Sequence, residues 1–163
     1  TLQGSGFNDI LRISAGVSSI MGIEFIAGGG GNDRILGGTG DDVIDLATIA
    51  LTSVELIDAG LGNDTIASSL SDDQITGGAG NDTFIFVSGG GNDTITDFRA
   101  HALGGSSIDV IDLNNFGFAD FAAIMATAAQ VGSDTIIALD SETSLRLLGV
   151  NIATLASNDF IVV

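Results

Sequence analysis

The sequence predicts an all-β solenoid, in which short parallel strands stack as rungs and tight turns stack along the edges. Three observations predict it: units of nine residues recur in tandem, each opens on small residues and closes on a strand-forming triplet, and an aspartate holds a fixed place between the two. Residues 28–36 (GGGGNDRIL) and 37–45 (GGTGDDVID) adjoin without a gap. Residues 59–67 (AGLGNDTIA), 68–76 (SSLSDDQIT) and 77–85 (GGAGNDTFI) form a second run, and 88–96 (SGGGNDTIT) follows after two inserted residues. A Gly/Ser linker has no reason to hold aspartate and isoleucine at fixed offsets, whereas a stacked repeat does.

Each part of the unit has a physical reason. Clustered glycines supply the positive φ angles and close backbone approach of a tight turn. The triplet after each aspartate reads as a short strand whose eighth-position residue points inward. One turn and one strand make half a coil in nine residues, so a full coil takes eighteen and lies on the last as a parallel rung. The inward stack then contains Ile35, Ile44, Ile66, Ile75, Phe84 and Ile95. Such a core is thin, one side-chain layer between two sheets, and a column of aspartates runs along each edge.

Asp64 and Asp82, eighteen residues apart, fall on adjacent rungs of one edge. Rungs are about 4.8 Å apart and Ca²⁺–oxygen distances are about 2.4 Å. A calcium ion between two rungs therefore reaches oxygens above and below, and the glycine-rich turns leave backbone carbonyls to complete its shell. Cysteine thiolates are missing and the one imidazole is His101, so a hard, oxygen-seeking cation fits the donor set best.

The composition agrees. The 163 residues carry a net charge of −17, with 24 glycines and neither cysteine nor proline. Arg12, Arg34, Arg99 and Arg146 are too few to hold nucleic acid, and a chain this acidic is repelled by anionic membranes. Its natural counter-charge is a cation. Positive mean hydropathy sets it apart from disordered acidic chains, on condition that the carboxylates are neutralised. The length is that of one domain, or of one domain and a small cap. No segment has the roughly 18 apolar residues of a transmembrane helix. With no signal peptide and with Thr1 in mid-pattern, the chain reads as the C-terminal piece of something longer.

GGGGNDRIL, GGTGDDVID and GGAGNDTFI resemble the repeat-in-toxin (RTX), haemolysin-type, calcium-binding nonapeptide of bacterial proteins exported by type I secretion. The resemblance implies a right-handed parallel β-roll of stacked half-coils over residues 1–98. It further implies a C-terminal cap over 99–163, built of strands and one short helix, and several bound Ca²⁺ ions. In that family one turn gives its first and third carbonyls and its aspartate, and the next turn on the same edge gives its second and fourth carbonyls and its aspartate. Gly37, Thr39 and Asp42 would then face Gly60, Gly62 and Asp64. Ala59, Leu61 and Asp64 would face Gly78, Gly80 and Asp82, with Gly77 and Ala79 in the first and third positions of that turn. On the opposite edge Ser68, Leu70 and Asp73 would face Gly89, Gly91 and Asp93, although serine replaces turn glycines there.

The pattern breaks in places. Residues 46–57 (LATIALTSVELI) lack an acidic turn, which leaves Gly28, Gly30 and Asp33 without a full partner. Segments around Ile20–Ala27 and Val54–Ala59 resemble each other, hinting at a longer repeat of about 31 residues. GSGFNDIL near the N-terminus is a worn copy ending its turn at Asp9. After Thr96 the texture changes. DVIDL (109–113) reads as a strand. Phe118, Phe121, Met125 and Ala128 at helical spacing predict a helix near 117–129. DTIIALD and SLRLLGV alternate around Ser141–Thr143 as a hairpin does. The ending Asp159-Phe-Ile-Val-Val163 is similar to the acidic–hydrophobic tail that serves the RTX family as part of its uncleaved secretion signal.

His101 is expected to be a solvated loop residue, and the zinc-protease H-E-x-x-H and the nucleophile elbow G-x-S-x-G are both missing. The expected function is therefore not enzymatic. It is a module that folds on extracellular calcium and supports the export and stability of a larger secreted bacterial protein, with the type I secretion machinery as partner. Two other readings stand beside it. One is a surface-layer or adhesin terminus that self-associates or attaches to a cell surface. The other is the accessory module of a secreted protease, lipase or alginate epimerase, in contact with polysaccharide.

Overall fold

The computed structural model describes residues 1–12, 25–105 and 107–162. Its strands are short because each unit has only three residues between turns. In chain order they are β1 (Leu2–Gln3), β2 (Ile10–Arg12), β3 (Phe25–Ala27), β4 (Arg34–Leu36), β5 (Val43–Asp45) and β6 (Ala50–Thr52). There follow β7 (Leu56–Asp58), β8 (Thr65–Ala67), β9 (Gln74–Thr76), β10 (Thr83–Ile85), β11 (Asn92–Ile95) and β12 (Val110–Asp112). Helix α1 (Phe121–Ala126), β13 (Ala128–Val131), β14 (Asp134–Ala138), β15 (Ser144–Leu147) and β16 (Phe160–Ile161) complete the chain.

The strands form three sheets. One has eight strands in the order β13-β14-β15-β11-β9-β7-β4-β2, one has five in the order β16-β12-β10-β8-β5, and one has three in the order β1-β3-β6. Successive half-coils alternate between the eight-stranded and five-stranded sheets, and the pairing between rungs is parallel. The protein is an all-β parallel roll.

Only the middle residue of most triplets is buried, as the period-2 pleat requires. These residues stack in columns. On the eight-stranded side Ile35, Ile57, Ile75, Ile95 and Leu147 lie in register. On the five-stranded side Ile44, Ile66, Phe84, Ile111 and Phe160 do the same. The six residues expected to face inward are all 0–1% exposed. At about 1.5–3 kcal/mol for each fully buried aliphatic or aromatic side chain, two such columns are the main apolar support of the roll.

Coil length is not uniform. The coil from β7 to β9 takes the expected eighteen residues, Ile57 to Ile75. The one below, β4 to β7, takes 22 (Arg34 to Leu56), and the one below that 24 (Ile10 to Arg34). The extra residues build β6, which pairs with β3, so the N-terminal coils have a third wall and the core there is no longer one layer between two sheets. This corrects the longer repeat expected from Ile20–Ala27 and Val54–Ala59. β3 stacks on β6 at a spacing of 25 residues (Phe25 to Ala50), and Leu56–Asp58 stacks on β4 instead. Residues 20–24 of that expectation lie outside the described residues.

The C-terminal part follows the expected strand, helix and hairpin. β12 extends the five-stranded sheet, and β13-β14-β15 form an antiparallel meander that joins the roll through parallel β11–β15 pairing. The helix is shorter than its apolar stripe. Asp120 caps it late, accepting from the Ala123 N–H at 2.9 Å, and β13 takes over from Ala128. Phe118, Phe121, Met125 and Ala128 nonetheless all pack against the core. Phe121 meets Phe160 at 5.7 Å between ring centroids, and Phe160 lies in β16 beside β12. Val163 lies outside the described residues.

Candidate metal centre

The turns stack as closely as the strands. Turns 37–42, 59–64 and 77–82 lie on one edge, each leading from the eight-stranded to the five-stranded sheet. Leu61 bridges Ala79 in parallel, the Ala79 N–H donates to the Gly60 carbonyl at 3.0 Å, and the Gly62 N–H donates to the Ala79 carbonyl at 2.8 Å. Backbone this close leaves no room for a side chain. A Cβ on Gly78 or Gly80 would lie 2.0 or 1.7 Å from the carbonyl oxygen of Gly60 or Gly62, and both glycines have positive φ (+99° and +140°).

The aspartates form ladders along the edges. The Asp42 N–H donates to Asp64 Oδ1 at 2.8 Å, the Asp64 N–H to Asp82 Oδ1 at 2.9 Å, and the Asp82 N–H to Asp109 Oδ1 at 3.1 Å. On the opposite edge the Asp73 N–H donates to Asp93 Oδ1 at 3.0 Å. A third ladder joins Asp9, Asp33 and Glu55: the Asp9 N–H donates to Asp33 Oδ1 at 2.7 Å and the Asp33 N–H donates to Glu55 Oε2. The structure thus brings together the turn pairs read from the sequence. It also supplies neighbours for the Gly28–Asp33 turn, which the sequence left alone. The Ser68–Asp73 turn tolerates its serines because the Ser69 N–H and Oγ both donate to the Asp73 carboxylate, at 2.6 and 2.9 Å.

Sequence reasoning missed Glu55, which follows no glycine turn, and Asp109, although it stands sixth in the glycine-led stretch 104–112 (GGSSIDVID). It also gave no role to the fifth position. There the ladder runs the other way: the Asn63 N–H donates to Asp41 Oδ1 at 2.7 Å, and the Asn81 N–H to Asn63 Oδ1 at 2.9 Å. The signal was present, since each of the six units has Asn or Asp in that place.

These ladders leave one oxygen unused on five of the carboxylates, whereas both oxygens of Asp73 and of Asp109 have donors. Asp33 Oδ2, Asp42 Oδ1, Asp64 Oδ2, Asp82 Oδ2 and Asp93 Oδ2 are buried and without a hydrogen-bond donor. A buried acceptor without a donor costs about 1–3 kcal/mol, and more for a charged group. The cap provides the contrast. Buried Asp134 accepts from Arg146 Nε, the Gly149 N–H and Ser133 Oγ at 2.8–2.9 Å, and these bonds hold its pKa down to about 2. Buried Asp159 accepts from the His101 and Ala156 N–H groups at 2.7 Å, and its Oδ1 also contacts His101 Nδ1 at 2.7 Å. His101 is therefore tied to the tail rather than solvated, because this carboxylate takes both its backbone and its ring. The cap's buried carboxylates have donors; along the edges five buried carboxylate oxygens have none.

Electrostatics point the same way. Burial raises Asp64, Asp73 and Asp109 to about 6 and Asp93 to about 8, and raises Asp82 as well. Charge on Asp82 and Asp42 adds to the shift of Asp64, and charge on Asp73 adds to that of Asp93. No three acidic or imidazole side chains converge among the described residues, so a cation here depends on turn carbonyls as well as carboxylates. One carboxylate per turn, a buried oxygen without a donor on five of them, and the neighbouring backbone carbonyls form a hard-oxygen donor set that fits calcium.

A pH dependence follows. A folded-state pKa above the unfolded value of about 4 means that protonation favours the folded state. In calcium-free solution the stabilisation from these groups is fully present below about pH 4 and is lost as pH rises through 6 and then 8. The calcium-free chain should accordingly melt at a higher temperature at pH 5 than at pH 8.5. Far-UV circular dichroism in chelator checks this, and an equal or reversed order of melting would contradict it.

The repeat region matches the model of the RTX calcium-binding nonapeptide repeat, in four copies, over residues 21–47 and 53–84. No curated protein matches the sequence. Among solved structures, the chain is similar to the extracellular lipase LipA from Serratia marcescens, at 18% identity and a TM-score of 0.46. That match covers 98% of this chain and 20% of the lipase, so the chain spans about a fifth of its length. It is also similar to the AlgE6R3 and AlgE6R2 subunits of the Azotobacter vinelandii mannuronan C5-epimerase, each at a TM-score of 0.49. Identities are 25% and 22%, covering 97% and 99% of this chain and 80% and 91% of theirs. Over residues 21–47 and 53–84, then, this chain carries RTX calcium-binding nonapeptide repeats, in keeping with its stacked turns and buried carboxylates.

Proposed function

We propose that the chain is a non-catalytic module of a larger secreted protein, which leaves the cell unfolded and folds when its turns meet extracellular calcium. The observation that carries this reading is that five buried edge aspartates, Asp33, Asp42, Asp64, Asp82 and Asp93, each have one oxygen that no protein donor reaches. Asp42, Asp64 and Asp82 with the carbonyls of turns 37–42, 59–64 and 77–82 would hold ions on one edge. Asp73 and Asp93 with turns 68–73 and 88–93 would hold ions on the other, and Asp33 with Gly28 and Gly30 would draw on Asp9 or Glu55. Calcium, when bound, would supply the positive charge that these carboxylates and carbonyls coordinate. The rest is the chain's own work: the ladders fix each carboxylate, and the glycines bring the carbonyls close.

The thin core explains why such a module would wait for its ion. With the carboxylates ionised and uncompensated, repulsion along each edge opposes the two apolar columns. Extracellular-type calcium sites have dissociation constants of about 10⁻⁴–10⁻³ M. Each site that exists only in the folded state adds RT ln(1 + [Ca²⁺]/Kd), so several modest sites together move the balance decisively. We assign residues 1–98 to this roll and 99–163 to its cap. The tail after Asn158 then serves both as a final strand and as an export signal to the type I machinery.

The test is far-UV circular dichroism of the chain during a calcium titration begun in chelator and repeated with magnesium. A steep, calcium-selective gain of β signal is expected. A β signal already complete in chelator would sink the folding switch.

A further inference from the structure

At the C-terminal end of the Asp42–Asp64–Asp82–Asp109 column Ile108 and Asp109 continue the fifth- and sixth-position ladders onto Asn81 and Asp82, but Arg99 takes the place that faces Gly78. In the turns below, each second-position carbonyl accepts from the third-position N–H of the turn above. The Leu61 N–H donates to the Gly38 carbonyl at 3.1 Å, and the Ala79 N–H to the Gly60 carbonyl at 3.0 Å. Gly78 is next in that series, but its carbonyl accepts from Arg99 Nη1, at 2.6 Å. A guanidinium has replaced a backbone amide.

The segment around it is built to hold it there. The Arg99 N–H donates to Asp109 Oδ2 at 2.8 Å, and the Asp109 N–H donates to the Arg99 carbonyl at 3.0 Å. Two residues earlier, Asp97 accepts from the Gly77 and Gly78 N–H groups at 3.0 and 2.8 Å, closing the top of the same turn. Asp97 thus adds its charge to those of Asp82 and Asp109 at this end of the column, without the three carboxylates converging on one point. The other arginines are elsewhere: Arg12 and Arg34 lie in β2 and β4, and Arg146 pairs with Asp134 in the cap. Arg99 also acts on the column electrically, since its charge opposes the rise that burial imposes on Asp82. A positive group that engages a turn carbonyl and offsets edge carboxylates does what a bound cation would do one rung below.

We propose that Arg99 is a built-in cation that closes this column, its guanidinium taking the end position in place of a calcium ion. The last rung is then charge-compensated before any calcium arrives, and the cap has a formed edge to meet. This rests on the reading that the edges below bind calcium.

The experiment compares the full chain with Arg99→Gln, which keeps a donor but loses the charge, and Arg99→Lys, which keeps the charge. Each is titrated with calcium alone from chelator, followed by far-UV circular dichroism. A charge-assisted hydrogen bond is lost once but its loss is shared over several ions that bind together. The midpoint for Arg99→Gln should therefore rise by roughly two- to threefold, while Arg99→Lys keeps the wild-type midpoint. If Arg99→Gln fails to fold at any calcium level, a wild-type midpoint for Arg99→Lys still supports the proposal. An unshifted Arg99→Gln, or an Arg99→Lys shifted as far as Arg99→Gln, overturns it. A wild-type chain indifferent to calcium removes the calcium reading itself, and this proposal with it.

Discussion

Replacing Asp64 by asparagine should make the calcium-free chain more stable and the calcium-loaded chain less so. Asp64 is the middle member of its column. Its Oδ1 accepts the Asp42 N–H, its own N–H goes to Asp82, and its Oδ2 is buried without a donor. Asparagine keeps the Oδ1 acceptor, so the ladder survives. What disappears is a buried charge repelled by Asp82, Asp42 and Asp41, which is why calcium-free stability should rise. Asp64 also belongs to two successive inter-turn positions, one shared with Asp42 and one with Asp82. An interaction with a charged group is worth about 1.5–3 kcal/mol, so losing one at each position should raise the calcium midpoint by at least about tenfold. Thermal melts in chelator and in excess calcium check both halves. A variant that lost stability in chelator would show that Asp64 acts only as a structural acceptor.

Gly80→Val should abolish the folded state even in excess calcium. The new Cβ would start 1.7 Å from the Gly62 carbonyl oxygen, and the backbone there has a φ of +140°, which a β-branched residue avoids. Neither the carbonyl nor the turn below has slack, because Gly62 is bonded in turn to Ala79. A cost above about 4 kcal/mol is expected, a large share of the roughly 5–15 kcal/mol that holds a domain together. Gly6→Ala is the control: a Cβ at Gly6 meets nothing within 4 Å, and its melting temperature should stay at the wild-type value. A Gly80→Val chain that folds normally would mean that adjacent turns do not pack as described.

Much of this architecture was legible because one nine-residue unit encodes a turn, a strand and an inward residue together. Ile35, Ile44, Ile66, Ile75, Phe84 and Ile95 needed only their position in the unit to be placed, and all are buried. The stacking of Asp64 on Asp82 followed from counting eighteen residues, whereas that of Asp42 on Asp64, 22 residues apart, came only from the family resemblance. What escaped was set by tertiary geometry. β6 lies in a stretch with no glycine–aspartate turn, so nothing local announced a third wall. Glu55 stands in an edge ladder because it occupies the same height as an aspartate, although its own sequence context has no repeat. Asp109 reaches Asp82 from 27 residues away, and Asp159 reaches His101 from 58. Such pairings depend on where the chain returns, and period alone does not carry that.

The unequal coils have a consequence for how the chain finds its partner strands. Near-identical units can mispair by a whole rung, since any Ile-centred triplet fits against any other. Here the perimeters run 24, 22 and 18 residues in succession, and two more residues enter between β10 and β11. A slip by one coil would lay a long loop on a short one and push β6 away from β3. The irregular lengths work as the wards of a lock: they admit one alignment of otherwise interchangeable repeats. Trimming residues 46–49 to regularise the array would remove a ward, and a chain assembling from many equal repeats would lose the feature that tells its strands apart.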